Sequence, residues 1–157
     1  MVVFVCARRH ANGAIKKHSC LALISCNDVG QRTSQSRLDR AHHLQIEFDD
    51  VRSDSEPFPP RDHHVHRALA FARRHTAGNL LVNCEAGVSR STAIALMILV
   101  DRLGDIQAAV EQLILVRPQA YPNPIISKFA DEILGCNGLL FEASEKIANA
   151  QFSLRRS

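Results

Sequence analysis

The stretch 79–103 constrains the fold more than any other part of this chain. Asn79 to Asn83 is a short apolar run with polar ends, Gly87 interrupts the pattern, and Thr92 to Leu103 is almost uninterruptedly apolar. A strand buried on both faces, running through a short loop into a helix buried on most of its surface, is the trace of a parallel sheet covered by helices.

The remaining apolar runs agree. Val2 to Cys6 and Cys20 to Cys26 read as further strands, and Leu44 to Phe48 alternates Leu, Ile and Phe with Gln and Glu, as a strand with one wetter side does. Arg52 to Pro60 holds three prolines and several charges, so it forms a loop over one end of the sheet before a helix near Asp62 to His75. After Leu103, Gly104 stops a helix and Asp105 caps the next, which ends near Pro118. Asn123 before Pro124 is an N-cap followed by a first-turn proline, and a last amphipathic helix covers Leu139 to Ala150. The expected architecture is a three-layer α/β domain with a mostly parallel sheet of about four or five strands and helices on both sides. One domain over 1–152 and a flexible tail over 153–157 are expected.

Composition narrows the partners. Nineteen Lys and Arg against 16 Asp and Glu give a formal charge of +3, which suits an anionic substrate without the basic stripe and interleaved aromatics of a nucleic-acid reader. The pairs Arg8/Arg9, Lys16/Lys17 and Arg73/Arg74 read as solvated faces. The longest apolar stretch, around Ala93 to Val100, is too short to cross a bilayer, and no membrane partner is expected. The five cysteines, Cys6, Cys20, Cys26, Cys84 and Cys136, form no Cys-x-x-Cys pair, so no disulfide framework is expected and the reducing cytoplasm is the expected compartment.

The chemistry lies where the strand meets the helix, in Val82-Asn83-Cys84-Glu85-Ala86-Gly87-Val88-Ser89-Arg90-Ser91. A Gly-containing loop there can turn the N–H groups of Glu85, Ala86, Gly87, Val88, Ser89 and Arg90 around an oxyanion, with the helix N-terminus adding partial positive charge. Inward amides, helix dipole and the Arg90 guanidinium all favour a thiolate at Cys84. Arg90 has the planar fork that holds two phosphoryl oxygens at once. Gly87 permits the backbone angle that the inward amides need. A free cysteine is more often a buried core residue. Cys6, Cys20, Cys26 and Cys136 stay with that reading, and the residues after Cys84 reverse it there.

These residues resemble the Cys-x5-Arg-Ser/Thr phosphatases, and among them the compact dual-specificity-like enzymes and bacterial tyrosine-phosphatase-like proteins. The resemblance extends upstream to the Leu-Leu-Val strand and downstream to Val116-Arg117-Pro118, Tyr121-Pro122-Asn123 and Phe129. It implies phosphomonoester hydrolysis through a phosphocysteine intermediate, without cofactor or metal, on a phosphorylated protein. Phosphotyrosine is favoured and phosphoserine or phosphothreonine stays open; phosphate, sulfate and vanadate are the expected active-site anions. It further implies a general acid from a loop after the third strand. Asp50 fits that position, with Asp49 and Asp54 as rivals. Ser91 is similar to the family hydroxyl that bonds the cysteine sulfur, and Asn123 to the Asn that braces the loop. One departure stands out, because the family commonly has His before the cysteine and this chain has Asn83.

Two other readings compete. A module that binds phosphoprotein without turning it over is conceivable on account of Asn83, and a rhodanese-like sulfurtransferase also sets a cysteine between strand and helix. Five of the eight histidines, His42, His43, His63, His64 and His66, invite a metal hypothesis. His63 and His66 could share a helical face, but no convincing third ligand stands near them, so no metal is expected.

Overall fold

The computed structural model describes residues 2–156. Strands β1 (Val3–Ala7), β2 (Cys20–Asn27), β3 (His43–Glu47) and β4 (Asn79–Cys84) pair in parallel in the order β1-β4-β2-β3. Helices α1 (Ala11–His18), α2 (Asp62–Arg74), α3 (Arg90–Leu103), α4 (Ile106–Val116), α5 (Pro124–Leu134) and α6 (Leu139–Arg156) complete the α/β architecture, with a 3₁₀ turn (Arg8–His10) between β1 and α1. The strands begin and end within a residue of the apolar runs that announced them.

Alternation along the central strand divides the molecule. Leu80 and Val82 of β4 join Ala22 and Ile24 of β2 in the large core, packed with Ala93 to Val100 of α3 and with residues of α2, α4, α5 and α6. Leu81 points the other way, into a small cluster with Cys6, Leu23 and α1's Ile15. Among the described residues helices therefore flank both faces, five on one and α1 alone on the other.

Beyond α1 the second face is covered by the irregular segment 28–42, and the side chains beneath it are polar. Ser25, Asn27, Ser34 and Asn83 are buried there. A covering loop leaves backbone and side-chain groups that need partners. They find them: Ser34 Oγ donates to Asn27 Oδ1 (2.7 Å), Asn27 Nδ2 to Gln45 Oε1 (3.1 Å), and the Ser34 amide to the same Gln45 oxygen (2.8 Å). Ser25 Oγ meets His43 Nε2 at 2.9 Å.

Two elements differ from the sequence expectation. Helix α1 was not expected, because Ala11–His18 carries Gly13, has no side-chain N-cap bond and offers only Ala11 and Ile15 to the interior. It ends on Ser19 in the left-handed conformation at φ 50°, which satisfies its last carbonyls. Helix α6 continues past Ala150, so residues 153–156 of the tail expected over 153–157 are helical, and Ser157 lies outside the described residues. Among the described residues no helix is long and apolar enough to cross a membrane.

Candidate active site

β4 is hydrogen-bonded on both sides, to β1 and β2, and so delivers Cys84 from the middle of the sheet. Cys84 is buried, and the loop 85–89 rises around it before α3 begins at Arg90. What shapes the loop is visible in its carbonyls. The Arg8 amide donates to Glu85 O (3.3 Å), Arg117 Nη2 to Ala86 O (3.0 Å), Arg117 Nε to Gly87 O (2.7 Å), the Tyr121 amide to Val88 O (2.9 Å) and the Asn123 amide to Ser89 O (3.2 Å). Each carbonyl from Glu85 to Ser89 is thus held by the surrounding scaffold. A peptide unit's N–H points opposite to its C=O, so this arrangement turns the loop's amides toward the space above Cys84.

Gly87 makes the turn possible. It has φ 65°, and a Cβ there would lie 2.3 Å from the Cys6 carbonyl carbon and 2.4 Å from the Ala7 nitrogen. No other residue fits between the loop and the end of β1. Ser89 is the N-cap of α3 yet makes no side-chain cap bond; its hydroxyl donates instead to Asp50 Oδ1 at 2.7 Å. Ser91 Oγ lies 3.1 Å from Cys84 Sγ, both of them buried.

Arg90 is buried as well, and one end of its fork is occupied. Nη1 donates to Phe48 O (2.7 Å) and pairs with Asp28 Oδ1 (2.7 Å), while buried Nε has no partner. Burial works against its charge, but Cys84, Cys26, Asp28 and Asp50 around it hold its pKa above the ordinary value. A guanidinium anchored at one edge, with an unpartnered N–H in a dry setting, is oriented for an anion.

The three candidate acids separate clearly. Asp50 is exposed, and its Oδ1 accepts from Ser89 Oγ (2.7 Å) and Asn123 Nδ2 (3.0 Å), which hangs the carboxyl beside the loop. Asn123 Nδ2 also reaches Val51 O (2.8 Å), and Asn123 Oδ1 caps α5 by accepting from the Ile125 and Ile126 amides. Asp49 turns away, with Oδ1 accepting from the Val29 amide at 2.9 Å. Asp54 is exposed four residues past Asp50, with no hydrogen bond to the loop 84–91 among the described residues.

Asn83 is 1% exposed and its Oδ1 has no hydrogen-bond partner. Glu85 is exposed and accepts from Gln31 Nε2 at 2.9 Å. Two residues were missed in sequence reasoning. Asp28 follows the end of β2 and Arg117 ends α4, and neither carried a role in advance because their partners arrive from distant parts of the chain. A carboxylate just past the carboxyl end of a central strand was the one available signal for Asp28. Among the described residues no group of three His, Cys, Asp or Glu is placed to hold a metal ion.

No family model matches the chain and no curated protein matches it. Solved structures do. Human DUSP28 superposes with TM-score 0.66 at 20% identity over 86% of this chain and 94% of that one. DUSP15 gives 0.58 at 20% identity, covering 96% and 90%. The human tyrosine phosphatase-like serine/threonine/tyrosine-interacting protein gives 0.64 at 18% identity, covering 86% and 92%. The fold is that of the dual-specificity phosphatases.

Proposed function

We propose that this chain, acting as one domain, is a cysteine-dependent phosphoprotein phosphatase that hydrolyses phosphotyrosine, and phosphoserine or phosphothreonine where they reach the loop. The observation that carries the reading is the placement of Cys84 beneath a loop whose carbonyls are each bonded outward, with Asp50 suspended beside it.

In the first step the Cys84 sulfur attacks phosphorus, the phosphorus–oxygen bond to the substrate breaks, and Asp50 delivers a proton to the departing oxygen. The loop amides and Arg90 bear the charge that spreads over the equatorial oxygens, the kind of preorganised stabilisation that dominates phosphoryl transfer. In the second step the Asp50 carboxylate takes a proton from water, the resulting oxygen attacks phosphorus, and the sulfur–phosphorus bond breaks. Ser91, 3.1 Å from the sulfur, donates to the thiolate as it leaves. Phosphate departs and both residues return to their starting states.

Recombinant protein is expected to hydrolyse an aryl phosphate in the presence of a chelator. Cys84→Ser is expected to abolish turnover and retain vanadate or phosphopeptide binding, and Asp50→Asn to lower kcat by about 10²–10⁴-fold. Undiminished activity in Cys84→Ser would refute the assignment.

A second reading is a phosphate-binding module without turnover. It is favoured by the unpartnered Oδ1 of buried Asn83, directly before the nucleophile, where a buried acceptor without a donor costs about 1–3 kcal/mol and loosens the base of the loop. Vanadate binding with no hydrolysis between pH 5 and 8 would select it.

A further inference from the structure

We infer that Arg52 determines substrate specificity by pairing with a carboxylate on a residue adjacent to the phosphorylated one, so that acidic phosphopeptides are the preferred substrates. This rests on the phosphatase reading and extends it from the phosphoryl group to its flank.

Arg52 lies two residues past Asp50, and its guanidinium sits over the Tyr121 ring, 4.4 Å from the centroid. The platform is fixed, because the Tyr121 amide is bonded to Val88 O of the phosphate loop. Arg52 and Tyr121, together with Asp50, Ala86, Val88 and Ser89, line a recess of about 370 Å³ walled by that same loop. A phosphorylated side chain reaching Cys84 would bring its neighbouring residue to this recess.

The chemistry of the recess selects the neighbour. Glu56, the nearest acid in sequence after Asp54, spends Oε1 on the Arg52 and Ser53 amides (3.2 and 3.0 Å) and not on the guanidinium. Among the described residues no carboxylate forms an ion pair with Arg52. A guanidinium stacked on an aromatic face keeps its edge N–H groups in plane for a bidentate carboxylate. Asp50 is the recess's own acid, and its Oδ1 is already engaged by Ser89 Oγ and Asn123 Nδ2. With one cation and that acid as its charged groups, the recess suits a monoanion better than a second phosphate dianion.

The test uses phosphotyrosyl peptides that differ only in Glu or Gln beside the phosphotyrosine, on either side. Wild type is expected to favour a Glu peptide in kcat/KM by about fivefold, in keeping with a stacked but partly exposed ion pair. Arg52→Gln is expected to erase that preference and Arg52→Lys to keep part of it. Indifference of the wild type to Glu, an equal loss on both peptides in Arg52→Gln, or a stronger preference for a doubly phosphorylated peptide would overturn the inference. Binding of the same peptides to Cys84→Ser gives a second measure. Absent aryl phosphate hydrolysis sinks the enzyme reading, whereas equal Glu and Gln peptide affinities sink the role of Arg52.

Discussion

On the proposed phosphatase reading, Arg117 acts through the loop without approaching the substrate. By donating to the carbonyls of Ala86 and Gly87 it fixes two peptide planes whose opposite edges face the space above Cys84. Arg117→Ala is expected to cost about 2 kcal/mol in urea unfolding, since bonds from a charged donor are worth roughly 1.5–3 kcal/mol. It is also expected to raise the vanadate inhibition constant about tenfold; an unchanged constant would show that the loop holds its shape without the clamp. The strand-to-helix placement of Cys84, Arg90 and Ser91 was legible because they lie in one short, chemically explicit segment. Arg117 and Asp28 were not, since their meaning lies in which backbone and which guanidinium the fold brings to them. Asp50 was preferred over its rivals Asp49 and Asp54 on position along the chain alone; the direction of each side chain is what the fold adds.

At the scale of the element, Asn123 joins two jobs that can be separated. Its Oδ1 caps α5 and its Nδ2 holds Asp50 and Val51. Asn123→Ser retains an N-cap acceptor and loses the amide donor, so its melting temperature should stay near wild type while kcat falls; Asn123→Ala should lose about 1 kcal/mol of stability as well. If Ser restores kcat, the tie to Asp50 is unimportant. Helix α2 has an unusual cap, in which His64 Nδ1 accepts from the Arg61 amide at 3.0 Å. Burial, and then the neighbouring His63, Arg67 and Arg61, lower the His64 pKa from 6.5 to about 4. Above pH 6.5 both folded and unfolded chains carry a neutral ring, and between 6.5 and about 4 only the unfolded chain binds the proton, so stability falls with pH across that window and no further below it. His64→Gln keeps an acceptor at that helix position and should flatten the decline in Tm. The part due to His43, also lowered by burial, should persist. Strands and the C-terminal helices were readable because apolar spacing and caps agreed. α1 was not, having neither a cap nor a clear apolar stripe.

Across the whole molecule, the cysteines divide by surroundings. Burial pushes Cys6 and Cys20 up to about 11, and likewise raises Cys26 and Cys136. Those thiols stay protonated near neutrality and react slowly with alkylating agents, which attack thiolates. Iodoacetamide at pH 7 is therefore expected to label Cys84 of the native protein first, as read by peptide mass mapping, with phosphate giving protection; labelling spread over several cysteines would contradict this. The layered arrangement itself was visible in the sequence, but not the polar underside beneath residues 28–42, because nothing in Ser25, Asn27 or Gln45 alone tells which way a strand will face. One contact in this architecture ties the sheet's margin to its centre. Among the described residues β1 pairs only with β4, yet Gly87 rests on the backbone of Cys6 and Ala7, and the Arg8 amide holds Glu85 O. Fraying of that outermost strand would slacken the loop, and an oxyanion seated in the loop must in turn act as a clasp on the strand. On the proposed reading, the grip on phosphate and the closure of the sheet's edge are two readings of one equilibrium.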